Sequence, residues 1–110
     1  MQTLLIPWNV KVIEQSAFEK CTGLKAVAVQ DGVTHIAEKA FAGCANLKKV
    51  FLPETIGMIE DAAFEGCDKV VIACIKDSFA HKYAVKNEIA FELVKPRGDR
   101  FMNLLKSKLR

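Results

Sequence analysis

The chain lacks most of the residues on which chemistry is usually built. Its 110 residues include two histidines, one tryptophan, one tyrosine and three prolines. The four cysteines, Cys21, Cys44, Cys67 and Cys74, form no CxxC pair, and their spacings of 23, 23 and 7 fit no zinc-ligand pattern. No Asp-x-Asp cluster suits calcium, and no glycine-rich loop suits a phosphate. Neither His35 nor His81 stands beside a nucleophile, so no Ser/His or Cys/His pair emerges and both read as solvated surface residues. We therefore expect no catalytic residue, no metal site and no cofactor, which argues against an enzyme.

Long apolar runs are missing too. No stretch approaches the ~18–20 residues that cross a bilayer. The opening MQTLLIPWNVKVIE has neither a basic start nor a small-residue cleavage site, so no signal peptide is read there. There is no N-x-Ser/Thr acceptor. Without a secretory context the even cysteine count does not imply a disulfide framework. Localisation stays open on these grounds.

What is present is apolar and folded in type: hydrophobic residues make up 51% and charged residues 26%, outside the disordered range. The net charge of +3 is unevenly placed, with −2 over residues 1–94 and +5 over residues 95–110. The basic balance belongs to the tail, so no nucleic-acid-binding face is expected on the body.

The dominant signal is an internal repeat of 23 residues. AFEKCTGL (17–24), AFAGCANL (40–47) and AFEGCDKV (63–70) are three copies of one phrase. Val10, Val33 and Ile56 align, as do Ile13, Ile36 and Ile59. Leu4 aligns with Val27 and Val50, and Ile6 with Val29 and Leu52. Every matched position is apolar or small, while the positions between them vary. One such unit cannot close a core around its Phe, but stacked units can, each side chain packing on its copy in the next coil. LKAVAV (24–29) and LKKVFL (47–52) alternate as short strands do. SAFEKC and its copies are too short for an isolated helix and suit helical or 3₁₀ turns on the opposite side. The cysteines recurring every 23 residues then read as small buried plugs. Cys74 breaks that ladder and is expected to be more reachable.

The pattern V-x-x-I-x-x-x-A-F-x-x-C-x-x-L-x-x-V-x-[IL]-P resembles the BspA-like leucine-rich repeat family, closely so over residues 4–72. Gln30 stands where Pro is usual, Ala37 where Gly is common, and the third strand slips into VVIACI. The resemblance implies an α/β repeat solenoid: short parallel strands on one face, helical or 3₁₀ turns on the other, and a helical C-terminal cap. It also implies a secreted or cell-surface setting and a partner-binding role, with no single activity attached.

The expected organisation is a solenoid over residues 1–94, followed by a basic amphipathic helix over 95–110. The solenoid divides into a partial repeat 1–9, repeats 10–32, 33–55 and 56–76, and a closing unit 77–94. In the closing unit, Asp77 or Ser78 suits an N-cap and Asn87 a stop. Phe79, Tyr83 and Ala84 would face the last coil, and IAFELV (89–94) would add an edge strand. In the tail, Phe101, Leu104, Leu105 and Leu109 share one helical face.

Two surfaces are candidates for partners. If Leu24, Val27 and Val29 point inward, then Leu5, Ala28 and Phe51 stack as an apolar row on the sheet's outer face, beside Lys49. This row would receive a protein or a glycan. The second candidate is the first coil, where Leu4, Ile6 and Trp8 lie near an edge that invites pairing. Together with Phe101 and Leu105 in the tail, it would support self-association. The reading is a non-enzymatic interaction module, with a self-assembling structural unit as the alternative.

Overall fold

The computed structural model describes residues 3–95, and the expected C-terminal amphipathic helix lies outside that range. Its strands fall into two parallel ladders. The larger sheet runs β1 (Thr3–Ile6), β3 (Ala26–Val29), β5 (Lys49–Phe51), β7 (Val71–Ile75) and β8 (Ala90–Val94) in that order. The smaller has three two-residue strands, β2 (Val12–Ile13), β4 (His35–Ile36) and β6 (Met58–Ile59). Neighbours in a ladder are one repeat apart: Leu4 pairs with Val27 and Ile13 with Ile36. The 23-residue period is thus the length of one solenoid coil, as expected for a leucine-rich repeat.

The side opposite the large sheet is built of hydrogen-bonded turns. Bonds from i to i−3, such as Ala17 N–H to Glu14 O and Cys21 N–H to Phe18 O, give it 3₁₀ character. It never becomes a continuous helix, because left-handed residues interrupt it at fixed places. Ser16, Lys39 and Ala62 have φ of 56°, 59° and 61°, and Lys20, Gly43 and Gly66 have φ of 62°, 76° and 81°. These breaks turn peptide groups along the stacking direction. Phe18 N–H then donates to Ala40 O at 2.8 Å, and Phe41 N–H to Ala63 O at 2.8 Å. Coils are therefore stitched on both sides, which satisfies the backbone groups that an apolar core cannot solvate.

The core follows the matched positions. Val27, Val33, Ile36, Ala40, Phe41, Cys44, Leu47, Val50 and Leu52 are each fully buried. Phe18, Phe41 and Phe64 stack with centroids 5.4 and 5.5 Å apart and planes within 11° and 5°. Two cysteines of the ladder aim their thiols at the previous coil: Cys44 Sγ donates to Phe18 O at 3.1 Å and Cys67 Sγ to Phe41 O at 3.0 Å. The four described cysteines are free thiols. Geometry explains this: parallel side chains on stacked coils reach toward a carbonyl rather than toward each other.

One coil is a residue short. Leu24, Leu47 and Val70 keep the period, yet Val50 pairs with Ile72 and Phe51 with Ala73. The slip exchanges inward and outward positions along β7. Ala73 therefore turns to the outer face, and Cys74 to the interior, where it is fully buried. Cys74 is accordingly not the reachable thiol that the repeat pattern suggests. Cys21, half-buried in the first coil, holds that place.

The far end is closed by α1 (Phe79–Lys86) and β8. Ser78 caps the helix, its hydroxyl accepting from His81 N–H at 3.2 Å, and Asn87 ends it with N–H bonds back to Tyr83 O and Val85 O. Ala80 and Ala84 are the helix residues fully buried against the last coil, and Tyr83 continues the Phe stack at 6.3 Å from Phe64. Phe79 was expected to face that coil but is 38% exposed. Ala80 and Ala84 take the closest line of contact, with Tyr83 beside them, while Phe79 lies at the edge of the helix and lines a groove with Met58 and Ile59 of that coil.

Candidate functional site

No described cluster of His, Cys, Asp and Glu could hold a metal ion. His35 pairs with Glu60 across neighbouring coils of the small sheet. His81 accepts a hydrogen bond from Asp77 N–H at Nδ1 (2.9 Å) and packs its ring 4.8 Å from Phe91. Neither is the solvated surface residue expected, because each fastens one structural segment to the next. Burial holds the Cys44 thiol above its ordinary range and pushes those of Cys67 and Cys74 up to about 11, far from the thiolate a nucleophile needs. Burial, then the Asp61 carboxylate, also raises the Tyr83 hydroxyl.

What remains is surface. At the first coil the repeat positions lose their cover. Leu4, Val10, Phe18 and Cys21 are only half-buried and Ala17 is exposed, whereas their copies Val27, Val33, Phe41, Cys44 and Ala40 are fully buried. The side chains are of the same kind; the difference is that a coil covers the second set. Among the described residues nothing covers the outer side of the first coil, and an apolar depression of about 270 Å³ opens there. Leu4, Ile6, Val10, Val12 and Phe18 line it, and Glu14 is its one polar side chain. Trp8, the residue after Pro7 of that lining, is 72% exposed. Strand β1 pairs with β3 alone, so it is an edge of the large sheet. Of the three first-coil candidates, Leu4 and Ile6 line the depression and Trp8 is not among its lining residues. Ile6, expected to be accessible, is 4% exposed because it packs into the core with Val29.

The second candidate surface has the register expected and a different exposure. Leu5, Ala28, Phe51 and Ala73 lie side by side on the outer face of the large sheet. Leu5 is 42% exposed, but Ala28 is 4% and Phe51 9% exposed. Ala28, Phe51 and Ala73 form a buried apolar cluster separate from the main core, with Val94 packed against it. Lys49 is joined to Glu92 across this face in an ion pair. The row is therefore real as a row but is not an open apolar surface. Strand alternation supplies the register, and it carries no information on what lies over the face.

A third feature escaped the sequence reading. Met58, Phe79, Lys82, Tyr83 and Lys86 line a groove of about 470 Å³ between α1 and the turn after β6. Its residues come from segments whose proximity depends on the helix docking angle, and the period is silent on that. No described helix is long and apolar enough to cross a membrane.

No curated protein and no solved structure matches the chain. A family model, described as the BspA type leucine rich repeat region, matches residues 1–91. With stacked 23-residue coils, parallel ladders and a match over most of its length, the chain belongs to the BspA-type leucine-rich repeat family.

Proposed function

We propose that this chain is a non-enzymatic protein-interaction module that engages its partner through the outer side of its first coil. The observation that carries this reading is the contrast between Phe18, Leu4 and Val10, half-buried, and their fully buried copies one coil on. A surface made of core side chains and bounded by an unpaired strand edge is stabilised by a partner with the same two features. Such a partner adds a parallel or antiparallel strand to β1 and covers the depression with apolar groups. A second copy of the chain meets both requirements. A glycan fits less well, because its hydroxyls need hydrogen-bonding groups and Glu14 alone offers one in the depression. A cell-surface setting, which the family resemblance implies, belongs to the same proposal.

The test is sedimentation velocity over a wide concentration range, on the native chain and on Leu4→Glu. Association of the native chain, lost in Leu4→Glu while the Phe18–Phe41 ring contacts persist, supports the reading. A native chain that stays monomeric at the highest concentration, and whose weight-average mass Leu4→Glu does not alter, removes the second copy as partner.

A further inference from the structure

The exposed large apolar side chains are not spread evenly over the solenoid. Apart from Met58 and Phe79 at the groove, those among the described residues lie at its two ends: Leu5, Trp8 and Val12 on the first coil, and Val85, Phe91 and Leu93 on the last. The far set has a plain origin. Phe91 pairs with Ile72 and Leu93 with Cys74, and both of those partners are fully buried in the main core. Parallel partners point to the same side of a sheet. Phe91 and Leu93 therefore stand at core positions, yet they are 39% and 46% exposed. Helix α1 covers the coil before it, but β8 belongs to the unit that α1 itself begins, and the sheet has no described strand beyond β8. Val85 extends the bare patch onto the helix. It lies one turn beyond His81, whose ring is 4.8 Å from Phe91.

We propose that the two ends meet head to tail, β8 of one chain pairing with β1 of a second copy. This inference rests on the first coil being a contact surface, as proposed above, and adds the face that meets it. Three observations select that face. Every pair in the large sheet is parallel, and β1 and β8 are its opposite edges, so stacking one chain on the next continues the ladder without reversing a strand. Side-chain direction agrees as well. Two parallel registers pair all four residues of β1 with β8, and a one-residue slip between them exchanges the faces. The register that sets Thr3 against Ala90 keeps Leu4 beside Phe91 and Ile6 beside Leu93 on the core side. The depression that Leu4, Ile6 and Phe18 line then receives the side chains that β8 leaves bare. The third observation is what stays uncovered otherwise. Two first coils face to face would close the depression and leave Phe91 and Leu93 in water, whereas the head-to-tail contact covers both sets. Such a contact is heterologous, so it builds rings or open filaments rather than a closed pair.

Sedimentation of the native chain, of Leu4→Glu, of Leu93→Glu and of an equal mixture of the two variants tests this. Native mass should grow past two chains as concentration rises. Leu93→Glu should weaken association by about tenfold or more, because the contact would bury a charge, while the Phe64–Tyr83 ring contact persists. Val85→Glu, on the helix side of the same patch, should weaken it in the same direction. The mixture should form a complex of two chains and no larger, since one variant keeps an intact β8 and the other an intact β1. Native association that stops at two chains overturns the head-to-tail contact, as does a mixture that stays monomeric. So does a Leu93→Glu chain that associates as strongly as the native one. If Leu4→Glu alone abolishes association, the first-coil reading stands and only the choice of β8 fails. A native chain that is monomeric throughout overturns both the second copy as partner and this contact.

Discussion

The two ends of the solenoid solve the same problem differently. At the far end, α1 lays Ala80 and Ala84 on the last coil, Tyr83 extends the aromatic stack, and Ala63 is fully buried. At the near end, the equivalent Ala17 is exposed and Phe18 half-buried. Composition does not separate them, since both coils carry the Ala-Phe-x-x-Cys phrase. A side chain in a repeat protein therefore derives its energetic role from its neighbours in the stack, and the same residue is buried core in one coil and half-buried surface in another.

The aromatic ladder is the sharpest way to break this comparison, and carries the largest expected effect. Phe41→Ala should cost about 3–5 kcal/mol, as for a fully buried aromatic. Phe18→Ala should cost less than half of that, because one side of its ring has no coil to lose. Chemical denaturation at fixed pH measures both, and equal losses would mean that the first coil is already covered in solution.

Left-handed positions give a second, smaller contrast. Gly66 and Lys20 occupy the same slot, at φ of 81° and 62°. Gly66→Ala should destabilise by about 1–2 kcal/mol, since a Cβ there has left-handed strain and meets Gly43 backbone atoms at 3.3 Å. Lys20→Gly should leave stability unchanged or slightly raise it. Paired thermal melts check the signs.

Thiol chemistry distinguishes the ends at the smallest energetic scale. Cys21 should react with a disulfide reagent in the native state, whereas Cys44, Cys67 and Cys74 should react only after denaturation. A pH dependence follows from the raised thiols of Cys67 and Cys74. In the unfolded chain they ionise near the ordinary value of 9, and in the folded chain near 11. Their contribution to stability is complete below about pH 9 and is lost as pH rises toward 11. A melting temperature that holds steady across that window would contradict the burial of these two thiols.

The period made the coil, the strand register and the core ladder legible, because each depends on identical spacing: Phe18, Phe41 and Phe64 stack where 23-residue arithmetic puts them. Two kinds of information were not periodic. The missing residue between Val50 and Ile72 breaks the arithmetic locally, and only backbone pairing shows that the slip is taken before β7, turning Cys74 inward. The burial of Ala28 and Phe51 is not written in the alternation, which sets the register alone and left that face looking open. Helix capping by Ser78 and Asn87 was legible because it is local. The choice of Ala80 over Phe79 as the contact was not, since it depends on how closely α1 approaches the last coil.

The central claim is that the first coil's outer side is a contact surface for protein. Comparing the sedimentation of the native chain with that of Leu4→Glu tests it most directly. The account predicts concentration-dependent association of the native chain and a strictly monomeric variant that still folds. Association of identical strength in both would place the contact elsewhere on the molecule and contradict it.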